Sequence, residues 1–239
     1  MRLTVIGCSP AWPNPGSAHS GYLLEGAGSL LLDCGPGVLG RLRERDGWPD
    51  VDAIAITHFH LDHCGDLVPW VWGSLYWSGG NPVRPELWLP PGGRAAVEEI
   101  GGRPSSHRRF ERAFAISEYA PGEPFTAGGF TVTARQVPHY DAEAYGFRVE
   151  DGERTFAYSG DTAPTPALAE LGRDADLFLC EATLRSSMSD GEVRGHLALD
   201  EAQAAFEVSG AKRLLVTHRP AELASDEVEC AHDGMVVEL

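Results

Sequence analysis

The segment Thr57-His58-Phe59-His60-Leu61-Asp62-His63 decides how the rest of this sequence is interpreted. It directly follows the apolar run Ala53-Ile54-Ala55-Ile56, which predicts a fully buried strand. Three histidines and one aspartate within six positions are four potential metal ligands at the end of that strand. If the loop turns after the strand, the two histidines separated by one residue converge on one ion, and Asp62 and His63 reach a second. The segment therefore predicts a metal site.

Three further candidate ligands lie just behind other predicted strands. His139 follows the alternating run at residues 130–137, Asp161 follows a strand at 155–159, and His218 follows a strand at 213–217. A single histidine or aspartate at such a position often only closes a strand or caps a turn. Together with the histidine-rich segment, these residues predict one shared ligand shell where the strand ends gather.

The order of the predicted elements indicates the fold class. The other predicted strands are 3–7, 22–25, 30–33, 87–89, 146–150 and 176–181, and the predicted helices are 38–45, 65–78, 94–100 and 198–208. The pair Asp151-Gly152 predicts a type I′ hairpin. Two β-rich halves with helices outside predict an α/β protein, a four-layer αβ/βα sandwich. No low-complexity linker divides the chain, so residues 1–239 are expected to form a single domain.

The complete set of ligands resembles the motifs of the metallo-β-lactamase superfamily, which are His-x-His-x-Asp-His, a later His, a bridging Asp and a final His. The resemblance extends over essentially the whole chain. It implies one metal ion held by His58, His60 and His139, a second held by Asp62, His63 and His218, and Asp161 bridging both. A bridging aspartate is typical of hydrolases with a symmetric two-ion site, whereas the lactam-cleaving branch usually carries cysteine there. Asp33 occupies a family position that supports the histidine-rich loop by a hydrogen bond without binding metal.

A second pair of residues narrows the branch of the superfamily. Glu181 in Cys180-Glu181-Ala182-Thr183 and His196 in Gly195-His196-Leu197 look like the Glu and His pair of the ribonuclease Z and cyclic nucleotide phosphodiesterase branch. Without the metal motif, these two would be interpreted as a surface carboxylate and a residue at a helix start. The resemblance implies that a hydroxide activated by two metal ions attacks phosphorus and that Asp62 accepts the proton of the attacking water. His196, oriented by Glu181, would then protonate the leaving oxygen.

The expected substrate follows from the charge of the chain and from one short interval. Ribonuclease Z enzymes carry a long basic arm that holds transfer RNA, but His139 and Asp161 are only 22 positions apart and leave no room for one. With 19 Lys and Arg against 35 Asp and Glu, the net charge of −16 opposes attachment to nucleic acid. A small phosphodiester such as a 3′,5′-cyclic nucleotide is therefore the expected substrate. Processing of transfer RNA 3′ ends is the alternative activity, and metal binding without hydrolysis is the alternative from another class. The two divalent ions are expected to be zinc, with manganese as the alternative.

Composition and hydrophobic patterning indicate the class of protein and its expected location in the cell. The apolar content of 43% and charged content of 23% are ordinary for a globular protein and exclude a disordered chain. No run of 18 apolar residues occurs, and the N-terminal apolar stretch is too short for a signal sequence, so a cytoplasmic protein is expected. Five widely spaced cysteines without a Cys-x-x-Cys pair are expected to be buried thiols.

Three other segments bear on assembly and substrate binding. The helix predicted after the metal segment carries Trp70, Trp72, Tyr76 and Trp77, which either stack on a nucleobase or belong to a core or subunit contact. Ribonuclease Z relatives dimerise through helices in this region, so a homodimer is expected. The basic stretch at 103–112 is either a lid that grips phosphate or a solvated loop. The proline-rich stretch at 9–15 stands where related proteins have a loop at the rim of the pocket. The sequence offers no convergent partners for His19, His107 and His232.

Overall fold

Short strands of apolar residues dominate the structure, a computed structural model that describes residues 1–45, 47–100, 106–187, 193–224 and 226–239, with only the backbone of residues 106 and 107. The strands are β1 (Arg2–Gly7), β2 (Gly21–Glu25), β3 (Ser29–Leu32), β4 (Ala53–Ala55), β5 (Glu86–Leu89), β6 (Ala115–Glu118), β7 (Pro124–Ala127), β8 (Phe130–His139), β9 (Ala142–Glu150), β10 (Thr155–Tyr158), β11 (Leu177–Glu181), β12 (Leu214–Thr217) and β13 (Val236–Glu238). The helices are α1 (Val38–Arg45), α2 (Leu61–Cys64), α3 (Leu67–Tyr76), α4 (Gly93–Ile100), α5 (Ser106–Ala113), α6 (Ala167–Leu171) and α7 (Leu199–Ser209), and a 3-10 turn follows at Ala221–Leu223.

The strands form two sheets whose parallel parts set the position of the loops. One sheet has the order β13-β1-β2-β3-β4-β5-β6, and the other has the order β12-β11-β10-β9-β8-β7. Strands β3 to β6 are parallel neighbours, as are β10, β11 and β12. Because β9 is antiparallel to both β8 and β10, β8 runs in the direction of β10. The loops after β8, β10, β11 and β12 therefore leave the second sheet at one edge, where open α/β sheets bind ligands.

The two sheets face each other across an apolar core, and helices cover their outer faces. Leu30 and Leu32 of β3 lie in one cluster with Phe147 and Phe156 of the second sheet, whereas Leu31 packs towards the helices. Successive side chains of a strand point to opposite faces, so a strand buried on both faces is apolar at every position. Helices α1, α3, α4 and α5 cover the first sheet, and α6 and α7 cover the second. This arrangement confirms the four-layer αβ/βα sandwich.

The helices that cover the sheets are short. The longest, α7, has 11 residues. Within the described ranges, no helix has both the length and the apolar composition needed to span a membrane.

Most predicted strands are present, with ends that differ by a few residues. His139 is the last residue of β8 instead of lying beyond it. The hairpin between β9 and β10 is confirmed, since Thr155 pairs with Glu150. Its turn is not type I′, because that type needs positive φ at two successive residues and only Gly152, at 93°, has one. The strands β6, β7 and β13 were not predicted from the sequence.

The structure changes the interpretation of the aromatic and basic segments. Trp70 of α3 is fully buried, whereas Trp72 is 46% exposed and stacks on Tyr76 with ring centroids 5.5 Å apart. The basic stretch is not a loop over residues 106–113, where it forms α5; residues 103–105 lie outside the described residues. Phe110 of α5 is buried, and the guanidinium of Arg109 lies 4.7 Å from the ring centre of Trp72. These helices therefore pack on each other, and a homodimer stays a prediction.

The cysteines are free thiols, as expected from their spacing. Cys8, Cys34, Cys64 and Cys180 are buried. Cys230 differs from the expectation, because it is partly exposed. Burial raises the pKa of the Cys8 and Cys64 thiols to about 12, so these thiols are unreactive at neutral pH.

Candidate metal centre

All seven side chains predicted as metal ligands meet at one edge of the two sheets. They come from the loop after β4 (His58, His60), from α2 (Asp62, His63), from the end of β8 (His139), from the loop after β10 (Asp161) and from the loop after β12 (His218). Five of the seven are buried, Asp62 is half-buried and His60 is exposed. Strand ends therefore bring together residues that are far apart in the sequence.

Three histidines form one group, called the histidine trio below. Ligand atoms of His58, His60 and His139 lie within 4.8 Å of one another. His139 Nε2 is 2.9 Å from His60 Nδ1. The ring centroid of His58 is 4.7 Å from that of His60 and 4.9 Å from that of His139. Three imidazoles at this spacing can converge on one ion.

Two carboxylates and two imidazoles form the other group, called the mixed quartet. Its members are Asp62, His63, Asp161 and His218, whose ligand atoms also lie within 4.8 Å of one another. His63 Nε2 is 3.5 Å from Asp62 Oδ2 and 3.2 Å from Asp161 Oδ2. His218 Nε2 is 3.2 Å from Asp62 Oδ2 and 3.5 Å from Asp161 Oδ2. Carboxylate oxygens and imidazole nitrogens thus alternate around one point.

Asp161 borders both groups. Its Oδ2 atom lies 4.0 Å from His58 Nε2 and 3.8 Å from His139 Nε2, in addition to its contacts within the mixed quartet. One carboxylate oxygen is therefore within about 4 Å of the trio and of the quartet, as the bridging position requires.

Several buried polar atoms of the two groups lack a partner in the described part of the chain, and their chemistry shows whether these residues fit a divalent metal. His58 Nε2, His63 Nε2 and Asp161 Oδ1 are buried and have no hydrogen-bond partner among the described residues. Leaving one such atom unpaired costs about 1–3 kcal/mol. Imidazole nitrogen and carboxylate oxygen are the ligands that zinc and related divalent ions take. The donor set and its unpaired atoms therefore fit divalent metal ions.

The outward nitrogen of four histidines is hydrogen-bonded to an oxygen. The Nδ1–H groups donate from His58 to Thr57 Oγ1 (3.0 Å), from His63 to Asp33 Oδ2 (2.7 Å), from His139 to the Gly195 carbonyl (2.7 Å) and from His218 to Thr183 Oγ1 (2.8 Å). Each bond fixes the ring and turns Nε2 towards the centre, which is the usual arrangement around a bound metal.

Asp33 supports the histidine-rich segment by hydrogen bonds, as its sequence position implies. It is fully buried and adopts a φ of 59°, a left-handed conformation that aspartate tolerates better than most residues. Its carboxylate accepts hydrogen bonds from the Thr57 main chain (2.8 Å) and hydroxyl, from His63 Nδ1 and from the Tyr158 hydroxyl (3.0 Å). Asp33 therefore positions ligands and does not face the centre itself.

The histidine trio is an environment for neutral imidazole. Burial lowers the pKa of His58 well below its ordinary value, and the positive charge of His63 lowers it further. Burial also lowers the pKa of His60 and of His139. Neutral imidazole is the form that binds metal, so the trio is ready to act as a ligand set at neutral pH.

The mixed quartet is an environment for charged groups. Burial by itself would lower the pKa of His63, but Asp161 and Asp33 outweigh it and hold that pKa well above its ordinary value. Burial by itself would raise the pKa of Asp161, but His218 and His63 hold it well below the usual range. Burial by itself would raise the pKa of Asp62, but the hydrogen bond with His218 and the charges of His63 and His218 together hold that pKa below its usual range. Both carboxylates are therefore ionised and attract cations.

Glu181 and His196 form a buried hydrogen-bonded pair beside the ligands. Glu181, at the end of β11, is 0% exposed and is not a surface carboxylate. Its Oε1 accepts from His196 Nδ1 at 2.8 Å and from the Thr162 main chain at 2.9 Å. Its Oε2 accepts from the Thr183 main chain at 3.0 Å and from the Thr183 hydroxyl at 2.8 Å. Because Thr183 also accepts from His218, Glu181 supports both His196 and one ligand of the mixed quartet.

An ion pair fixes the segment that carries His196. The Arg194 guanidinium donates to both carboxylate oxygens of Glu201 at 2.7 Å and to the His196 carbonyl at 3.0 Å. Glu201 also accepts from the Ala198 main chain at 2.9 Å, at the start of α7. The carbonyl of Gly195, in the same segment, orients the histidine trio as described above. The segment is thus tied to α7 on one side and to the ligands on the other.

Positive φ angles place two of the ligands. Gly160 has a φ of 59°, and a Cβ atom there would lie 2.4 Å from the Tyr145 carbonyl oxygen, so only glycine fits before Asp161. His218 itself has a φ of 51°. This conformation costs a residue other than glycine about 1–3 kcal/mol and persists where the surroundings enforce it, often at functional sites.

A cavity of about 610 Å³ opens beside the ligands. This volume is within the range of about 300–1,000 Å³ typical of small-molecule sites. Ligands of both groups and His196 line it, and its other lining residues include Trp12, Tyr140 and Leu223. The loop at residues 9–15 thus lies at the rim of the cavity, as predicted. No described residue of α3 or α5 lines it, so Trp70, Trp72, Tyr76 and Trp77 do not stack on a ligand there.

Some residues that build the centre were missed from the sequence. Thr57 and Thr183 each lie two residues past the end of a strand and within two residues of a predicted functional residue, a signal that was available. The contacts of Arg194 with Glu201 join a loop to a helix, and no local pattern marks them. Of the histidines without predicted partners, His19 is buried and bonds the Pro10 carbonyl, and His232 is exposed.

The two-sheet architecture and the clustered ligands define a metallo-hydrolase with the metallo-β-lactamase fold. Residues 29–219 match the model of the family described as "Beta-lactamase superfamily domain". The chain belongs to this superfamily.

Several known proteins are similar over nearly their whole length. A Mycobacterium leprae protein of uncharacterised function is 35% identical over an alignment of 241 positions, which covers 95% of this chain and 81% of that protein. The probable metallo-hydrolase YhfI of Bacillus subtilis is 33% identical over 222 residues, 92% of this chain and 87% of YhfI. The YhfI crystal structure superposes with a TM-score of 0.83, 28% identity and 99% coverage of both chains. The structure of the short form of human tRNase Z superposes with a TM-score of 0.77 and 25% identity, covering 100% of this chain and 99% of that one.

Proposed function

We propose that this chain is a phosphodiesterase that uses two divalent metal ions and acts on small phosphodiesters of the cyclic nucleotide type. The observation that carries the proposal is the Glu181–His196 pair, with His196 Nδ1 2.8 Å from the buried carboxylate and the ring on the cavity shared with the ligands. A protein that only binds metal has no need of an oriented imidazole beside its ligands, whereas a hydrolase needs one to protonate a leaving group. The similarity to the metallo-hydrolase YhfI and to human tRNase Z supports a hydrolase of phosphate esters.

The histidine trio would hold one ion and the mixed quartet the other, with Asp161 shared between them. When bound, divalent ions in such a centre lower the pKa of water towards 7 and neutralise the negative charge of a phosphoryl group. Five histidines and two aspartates favour zinc, with manganese as the alternative.

The chain's own residues supply the proton transfers. Glu181 accepts the Nδ1–H of His196, which holds the ring in place and makes Nε2 the atom that gives a proton to the leaving oxygen. Asp62 lines the same cavity, where its carboxylate accepts a proton from the attacking water. An in-line displacement at phosphorus would need these two groups on opposite sides of the reacting phosphoryl group.

A small substrate fits the surroundings of the centre. The cavity of about 610 Å³ accommodates a small molecule. Between His139 and Asp161 the chain forms β9, a four-residue turn and β10, so this interval holds no arm for transfer RNA. The net charge of −16 also disfavours a nucleic acid.

The test compares the metal-loaded wild-type protein with the variant His196→Ala on 3′,5′-cyclic AMP. We expect the variant to lose about 100- to 10,000-fold in kcat, the usual contribution of a general acid, and to keep its metal content. His232→Ala, which alters an exposed histidine outside the cavity, is the matched control and should behave as wild type. Full activity of His196→Ala would contradict the assigned role.

Two other outcomes would support the alternatives. Cleavage of a precursor transfer RNA at physiological salt, in preference to small phosphodiesters, would indicate a ribonuclease Z activity. Full metal occupancy without turnover of any phosphodiester would indicate a metal-binding protein that does not hydrolyse.

A further inference from the structure

One of the six tryptophans differs from the others in its surroundings. Five have an aromatic partner with ring centroids no more than 6.2 Å apart: Trp48, Trp70, Trp72, Trp77 and Trp88. Trp12 has no aromatic partner in the part of the chain that the structure describes, and it is 50% exposed. A single exposed apolar side chain is ordinary on a protein surface. Trp12, however, lines the same cavity as His60, His139 and His196.

The loop that carries Trp12 is fixed to another wall of that cavity. The Asn14 side chain donates to the Arg219 carbonyl at 3.0 Å and accepts from the Ala221 main chain at 2.8 Å. The Asn14 main chain donates to the Ser9 hydroxyl at 3.0 Å. Prolines at positions 10, 13 and 15 restrict the backbone further. The backbone that carries Trp12 is therefore held in place before a ligand binds, which reduces the entropy lost on binding.

The other aromatic ring of the cavity apart from the histidines, that of Tyr140, is 40% exposed and borders two histidine rings. The ring of Tyr140 lies 5.0 Å from His139 and 5.5 Å from His196, measured between centroids. The indole of Trp12 is 50% exposed and borders no aromatic ring among the described residues, so it offers a face to a planar ligand group. The cavity thus combines residues that would hold metal cations, which attract an anion, with an aromatic face suited to a planar group.

We infer that Trp12 stacks on the planar group of the substrate, so that this site selects phosphodiesters that carry a nucleobase. The inference deepens the proposed function and rests on it. An indole face accepts any base, because stacking depends on the π-face and not on hydrogen bonds. The site therefore favours substrates that carry a nucleobase over substrates without one. It does not distinguish one base from another.

The test uses two substrates that differ only in the base. These are 3′,5′-cyclic AMP and the corresponding abasic ribose 3′,5′-cyclic phosphate, which has the same scissile bond. We expect Trp12→Ala to lower kcat/KM for cyclic AMP by about 5- to 100-fold, the usual effect of removing a stacking residue. The value for the abasic substrate should stay within about twofold. Trp12→Phe keeps a ring and should retain most of the activity on cyclic AMP.

Trp72→Ala is the matched control, because Trp72 is 46% exposed but stacks on Tyr76 away from the cavity. It should change neither substrate's kcat/KM. Equal losses on both substrates in Trp12→Ala, or no loss on either, would overturn the inference.

A binding measurement separates this inference from the proposed function. The probe is AMP, which has the base and a phosphate but no diester, titrated into the same variants and followed by calorimetry. Suppose that the protein hydrolyses no phosphodiester but Trp12→Ala binds AMP more weakly than wild type. The proposed function would then be wrong, and the stacking role of Trp12 would be supported. Equal AMP binding by wild type and Trp12→Ala, in an active phosphodiesterase, would do the opposite.

Discussion

The two halves of the metal centre are held from outside by different chemistry. In the histidine trio, the outward nitrogens of His58 and His139 meet a hydroxyl and a main-chain carbonyl, which are both neutral. In the mixed quartet, that of His63 meets the Asp33 carboxylate, and two of the four members are themselves carboxylates. Similar numbers of ligands are thus set in opposite electrostatic environments.

If the centre holds two ions as proposed, this difference makes its halves unequal as metal sites. An imidazole whose N–H donates to a carboxylate is a more basic metal ligand. Two ionised aspartates also attract a cation by their charge, which neutral imidazoles do not have. We therefore expect the mixed quartet to hold its ion more tightly, and the histidine trio to release its ion first.

The largest effect is expected from Asp161→Ala, which damages both halves at once. The variant loses the carboxylate whose Oδ2 lies within 4.0 Å of the trio and the quartet. Turnover of cyclic AMP should fall by more than about 100-fold, the upper end for residues that touch only a ligand. Metal analysis should show fewer bound ions than in wild type. Asp200→Ala, at an exposed position of α7, should match wild type; full activity of Asp161→Ala would remove the shared role.

A smaller effect, confined to one half, is expected from Asp33→Asn. Loss of the negative charge of Asp33, which accepts from His63 Nδ1, should lower the affinity of the mixed quartet for an ion by about 10- to 100-fold. Titration with a chelator, followed by metal analysis, should release the ions of wild type in two steps and bring the steps together in the variant.

Thermal unfolding with excess zinc shows whether the Asp33→Asn protein is folded in that experiment. A single release step in wild type would contradict the inequality of the two halves.

The smallest effect is expected from Arg194→Ala, because the contacts of the Arg194 guanidinium with described residues are with Glu201 and the His196 carbonyl and not with a candidate ligand. Arg194 fixes the segment that orients the trio through Gly195 and carries His196. A partly exposed ion pair contributes about 0.2–1 kcal/mol, so kcat should fall by up to about fivefold while metal content and KM stay unchanged. Arg194→Lys keeps the charge without the two-pronged contact and should be intermediate. Arg213→Ala, which breaks the exposed pair with Glu229, is the control; loss of metal with unchanged kcat would contradict the positioning role.

The meeting of the seven candidate ligands and Glu181 at one sheet edge was predictable because each lies in or next to a short stretch that ends a buried strand. An apolar run such as that of β4 or β11 is visible in the sequence, and its end must lie at a sheet edge. Motif resemblance then grouped residues that no local pattern connects. The family of the chain and its sandwich fold followed from the same residues.

Elements defined by distant partners were not predictable. The strand β6 has half-buried residues without alternation and exists because Ala115 pairs with Glu86. The basic stretch forms α5 because Phe110 enters the core beside α3, a contact that the charged residues around it conceal. The same limit applies to Arg194, whose partner Glu201 is on another element.

The hydrogen bond from Asn14 to the Arg219 carbonyl spans 205 positions of the chain. At a synthesis rate of about 5–20 residues per second, about 10–40 s separate the emergence of its two ends from a ribosome. Until the second end emerges, the loop that carries Trp12 lacks this hydrogen bond. The proposed contact of Trp12 with substrate is therefore among the later features that a growing chain can complete, and strand β13 of the first sheet emerges later still.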